Sequence, residues 1–77
     1  PNPFISEIEI TFREVPESLT VQIYNTSGTL ISSAIYKDYV SRRLTISDLA
    51  NREQGMYIIR LITAYETIAH KVIKVRN

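Results

Sequence analysis

The chain has no cysteine. Disulfides, thiolate metal sites and a cysteine nucleophile are therefore excluded. It has one histidine, His70, too few for a histidine-cluster metal site. Its two glycines cannot build a Gly-rich phosphate loop. Unbroken apolar runs are a few residues at most, so no stretch approaches the ~20 residues of a membrane helix. No apolar run has the length of a signal-peptide core either. What remains is an ordinary globular composition, with 44% apolar and 22% charged residues. A chain of 77 residues holds one core. Its expected stability is ~4–11 kcal/mol at the usual value per residue.

The net charge of +1 hides a division along the chain. Residues 1–38 carry five acidic and two basic side chains, a sum of −3. Residues 39–77 carry seven basic and three acidic ones, a sum of +4. This reads either as two solvated faces of opposite sign or as a basic docking tail formed by Lys71, Lys74 and Arg76. The chain opens Pro1-Asn2-Pro3 without an initiator methionine. It is expected to be one domain, residues 1–77, cut from a longer protein.

The apolar period is two rather than 3.6. In residues 7–13, Ile8, Ile10 and Phe12 alternate with Glu7, Glu9, Thr11 and Arg13, which predicts a strand with one buried face. Pro16-Glu17-Ser18 breaks it. Residues 19–25 alternate with Leu19, Val21 and Ile23 inward, and Asn25-Thr26-Ser27-Gly28 is a turn with Gly28 free to take positive φ. Residues 29–36 complete a hairpin, and Lys37-Asp38-Tyr39 reads as a polar connector. A short strand is expected at 43–46. Residues 47–54 have room for one helical turn capped by Ser47 or Asp48. Residues 56–63 are apolar on both faces and read as a central strand covered on both sides. A last strand spans 67–75. Six strands with short loops predict an antiparallel β-sandwich or barrel.

Catalytic constellations are weak. Ser47, Asp48 and His70 lack a nucleophile-elbow context, and Glu7 and Glu9 share the wet face of one strand. Basic residues Arg42 and Arg43 lack the interleaved aromatics of a single-strand nucleic-acid surface, so no nucleic-acid partner and no enzymatic activity are expected. Tyr36 and Tyr39 flank a turn and make a carbohydrate-binding pair conceivable.

Four segments share a familiar order: Pro1-Asn2-Pro3-Phe4 before a strand; Val21 to Ile31 as strand, glycine turn and strand; Leu44 to Leu49 ahead of Gly55-Met56-Tyr57; and Lys71-Val72-Ile73-Lys74 near the end. Together they resemble the type A C-terminal sorting domain of type IX (Por) secretion cargo from Bacteroidetes. The resemblance covers essentially the whole chain. It implies an all-β, Ig-like sandwich of about six to seven strands that acts as an address label, with no cofactor and no membrane insertion. It also implies an outer-membrane translocon and a sortase-like cysteine peptidase as partners, and a cargo domain N-terminal in the same chain. The cargo would cross the periplasm and end at the cell surface or outside. Carried over by position, Pro1, Asn2 and Pro3 match the opening motif, Gly28 the hairpin glycine, Gly55 and Tyr57 the G-x-Y motif, and Lys71 and Lys74 the basic terminal strand. The edge of that terminal strand is expected to offer backbone groups for strand addition. The alternative function is an Ig- or fibronectin-like accessory module, carbohydrate-binding or a spacer. Against the usual family pattern, the 49–55 loop is longer and lacks proline. A seventh strand is expected, either near 39–41 or at Phe4–Ser6 as a piece separate from the first alternating strand.

Overall fold

The computed structural model describes residues 3–76. The strands are β1 (Ile8–Thr11), β2 (Glu17–Asn25), β3 (Leu30–Tyr39), β4 (Arg43–Ile46), β5 (Gly55–Thr63) and β6 (Thr67–Lys74). They form two antiparallel sheets, β1-β4 and β3-β2-β5-β6. The period-two pattern leaves a sandwich or a barrel open; the fold is the all-β antiparallel sandwich that the resemblance implies.

The alternation explains the two layers. Ile8, Leu44 and Ile46 of the small sheet are buried, and Ile10 is half-buried against the same core. Leu19, Val21, Ile23, Tyr57, Ile59, Leu61 and Val72 of the large sheet face them. Phe12 and Leu49, from the connections, close the core. Packing of this kind is what carries the stability of so small a domain.

The structure corrects four sequence expectations. First, β5 is central, between β2 and β6, but only one of its faces is buried. Met56 and Arg60 are exposed on the other face, and Ile58 and Ile62 are half-buried. The small sheet lies on one side only. Tyr24 opposite Ile58 and Thr20 opposite Ile62 give partial shelter without a covering layer. Second, residues 37–39 belong to β3 rather than to a connector. Tyr39 pairs with Glu17 past an irregularity in the β2–β3 register, packs on the core, and donates its hydroxyl to the Arg43 carbonyl at 2.6 Å. Third, residues 47–54 form successive turns instead of a helical turn. Asp48 does not cap; its carboxylate accepts the Ser32 hydroxyl at 2.6 Å. Leu49, fully buried, pins the loop. Fourth, the Pro16 break is narrower than expected, since β2 begins at Glu17. Glu17 has φ 67°, and the Ser18 amide donates back to the Pro16 carbonyl at 2.8 Å. That is a positive-φ γ-turn, a conformation rarely adopted outside glycine.

Phe4 accounts for the separated lead-in. It forms an isolated parallel bridge with Lys74 on β6, and the chain then crosses to the other sheet for β1. Among the described residues six strands are present, and this bridge stands where a seventh was expected.

Candidate functional site

Residues far apart in the chain meet at one end of the sandwich. The β2–β3 turn comes first. The Asn25 side-chain carbonyl accepts the Ser27 and Thr29 amides at 2.9 and 3.0 Å. Gly28, φ 82°, donates its amide to the Asn25 carbonyl at 3.1 Å. Asn25 pairs with Tyr57 on β5, and Gly55 pairs with Lys74 on β6. Lys74 in turn bridges to Phe4, next to Pro3. Pro3, Gly28, Gly55, Tyr57 and Lys74 therefore lie around a single pole. Lys71, opposite Ile58, stands further from this end. Pro1 and Asn2 lie outside the described residues.

Each of these residues has a local physical reason. Gly55 has φ 147°, and a Cβ built at Gly28 or Gly55 would meet nothing within 4 Å. Glycine is needed at both positions for backbone conformation, not for close approach. Tyr57 is buried, as expected of a core residue, and its hydroxyl donates to the Glu53 carbonyl at 2.7 Å. It thereby clamps the 50–54 loop to β5. Lys74 is only 5% exposed, unusual for a lysine. Opposite it in the β5–β6 register stands Gly55. The ammonium donates to the Val75 carbonyl at 3.3 Å.

The terminal strand is an edge strand, as its place in the sheet order shows. Its last residues are not open, however. The Phe4 amide donates to the Ile73 carbonyl at 3.0 Å, and the Val75 amide to the Phe4 carbonyl at 2.9 Å. Strand addition along the whole of β6 is therefore blocked at the very end that carries Lys74.

The competing constellations do not assemble. Asp48 is bonded to Ser32 on β3, whereas His70 lies on β6, and these strands form opposite edges of the large sheet. Glu7 and Glu9 are exposed. Tyr36 and Tyr39 make an edge-to-face pair, with centroids 5.3 Å apart and planes at 64°. Two such rings do not present one flat platform to a sugar.

Tyr39 also yields a pH prediction. Burial first, and the neighbouring Tyr36 second, raise its phenol above the ordinary value of 10.0. The neutral phenol is the form the fold favours. Its contribution is complete below the unfolded-state value and is lost as pH rises through the raised folded-state value. As pH rises from the unfolded-state value through the folded-state one, stability should fall more steeply in the wild type than in Tyr39→Phe. Parallel curves for the two proteins would refute the assignment.

A family model described as the secretion system C-terminal sorting domain matches residues 1–75. The chain belongs to that family. The match spans the lead-in, both hairpins and the terminal strand, so the sorting domain and the sandwich are the same unit. No curated protein matches the chain. The sorting domain is a type IX secretion signal, and its family is not an enzyme family. Its parent is accordingly a secreted or cell-surface cargo protein, with the cargo N-terminal to this tail.

Sequence reading did not single out Arg52, Met56 or Ile73, which surround the same pole. No local signal marks Arg52, because the turns of 47–54 that place it depend on Leu49 and Tyr57. Met56 and Ile73 alternate correctly with buried neighbours; only the sheet order shows them side by side.

Proposed function

We propose that the outer-membrane translocon reads this domain as an address label and that a sortase-like cysteine peptidase then removes it. The cargo passes through the periplasm and is delivered to the cell surface or the medium. The domain is substrate and label, with Pro1, Asn2, Pro3, Gly28, Gly55, Tyr57, Lys71 and Lys74 as its recognition motif. The observation that carries this reading is the gathering of five motif residues, widely separated in sequence, at one end of the fold. A passive spacer has no need of such convergence.

A transplant tests it. Residues 1–77 are fused behind a fluorescent reporter bearing a signal peptide, in a bacterium with the type IX machinery. Reporter outside the outer membrane, lost in a translocon mutant, is the expected result. A folded fusion retained in the periplasm would overturn the reading. Removing residues 73–77 is a poor substitute, because it also removes the partners of Phe4 and the residue opposite Gly55.

A further inference from the structure

β3 is an edge strand of the large sheet, ten residues long, and among the described residues only β2 pairs with it. Its outward backbone groups follow from the ladder. The Phe4 amide donates to the Ile73 carbonyl and the Val75 amide to the Phe4 carbonyl, so Ile73 and Val75 turn away from β5. Antiparallel backbone groups alternate sides along a strand. Val72 therefore bonds towards Tyr57, Ile58 towards Tyr24, and Val21 towards Ala34. The amides and carbonyls of Ser33 and Ile35, and of Lys37 by the same alternation, face outward from the free edge.

Groups presented in this way are met by another extended polypeptide. Proteins usually guard such edges with short strands, charges, prolines or a covering segment. β1 and β4 are four residues each, and Phe4 bridges the end of β6. β3 has no such guard from Leu30 to Tyr36, a run without charge, proline or glycine. Ile35, in the middle of the strand, is 73% exposed.

The strand fits a second copy of itself. A two-fold axis at Ile35 sets that residue against its own copy and Ser33 against Lys37 of the second copy. All three turn their backbone groups outward, so each pair exchanges both bonds. Ile35 also ends a row of β-branched side chains on the outer face: Thr67, Ile62, Thr20, Ile35. The axis continues that row into the second copy. At either end it brings the exposed Leu30 towards the exposed Val40. No like charges meet, since Asp38 faces Ser32. A slip that centres the pair on Lys37 sets two ammoniums opposite each other. The Phe4 lead-in, on the cargo side, runs along the opposite edge and keeps clear of β3.

We infer that two copies of this domain associate through their β3 edges, antiparallel about Ile35, and join their large sheets into one. The inference does not rest on the sorting reading, because a monomeric domain can be exported equally well.

Sedimentation equilibrium of the 77-residue domain, up to about 1 mM, reads the association. The mass should rise from that of one chain towards that of two and stop there. Ile35→Lys places two cations across the axis at an exposed position. It should weaken association at least about tenfold and leave the melting temperature unchanged. Thr67→Lys, at the far end of the same row, should associate like wild type. Hydrogen exchange separates strand pairing from contact between outer faces. On concentration, the amides of Ser33, Ile35 and Lys37 should gain protection. Those of Ser32, Ala34 and Tyr36, already turned to β2, should not change. This pattern in the wild type decides the case even if Ile35→Lys proves unstable. A mass of one chain throughout, growth beyond two, equal association of a folded Ile35→Lys, or protection gained elsewhere would each overturn the inference.

Discussion

Replacing Tyr57 by alanine should cost about 3–5 kcal/mol, the usual range for deleting a buried aromatic ring. That is a large share of the ~4–11 kcal/mol available to a domain of this size. The ring is 7% exposed and sits on the inner face of a central strand, opposite Asn25 on one side and Val72 on the other. Its loss removes core and clamp together. Tyr57→Phe separates them. It keeps the ring and loses the bond to Glu53, so it should cost only about 0.5–1.5 kcal/mol. The diagnostic readout is hydrogen exchange: amides of 50–54 should exchange faster while those of β2 and β5 stay protected. Urea denaturation measures the first effect. A cost under ~1 kcal/mol for Tyr57→Ala would show that the ring does not pack as described. For export, Tyr57→Phe is the informative variant, because it loosens the motif loop in a folded domain.

Phe4→Ala should produce an effect of similar size, about 3–5 kcal/mol. Phe4 is 5% exposed and belongs to the main core although it lies in no strand. Its amide and carbonyl also fasten the end of β6. The side chain is therefore the anchor that holds the lead-in against the terminal strand. Exchange protection should be lost first at the Val75 amide, which donates to Phe4. An unchanged melting temperature in Phe4→Ala would mean that the lead-in is dispensable to the fold. The pairing also bears on function: in this domain Phe4 and the terminal strand form one physical unit, so a variant in either should be felt at both.

Much of the fold is legible in the residues alone. The alternation of Ile8, Ile10 and Phe12, and of Leu19, Val21 and Ile23, assigns each residue to a face because side chains in a strand alternate sides. The Asn25–Gly28 turn is legible because its chemistry is local: an amide side chain and a glycine suffice. Local signals mislead where long-range contacts override them. Lys37 and Asp38 look like a connector, yet Tyr39 holds them in β3 through the Arg43 carbonyl and the core. The apolar outer face of β5 looks like a second buried face, yet no layer lies over it among the described residues. Ser47 and Asp48 look like a helix cap, yet Asp48 finds Ser32, sixteen residues away.

By itself, the sequence determined the class of structure, the inward residues of the strands and the sorting-domain family. Period, turn chemistry and ordered motifs are all written along the chain. Tertiary structure alone decided which motif residues meet, that Lys74 is buried opposite a glycine, and that Phe4 covers the end of β6. Those outcomes depend on sheet order and register, which bring residues 4, 25, 55, 57 and 74 together. No local propensity encodes such distances, because the contacts are made by packing two sheets on one core.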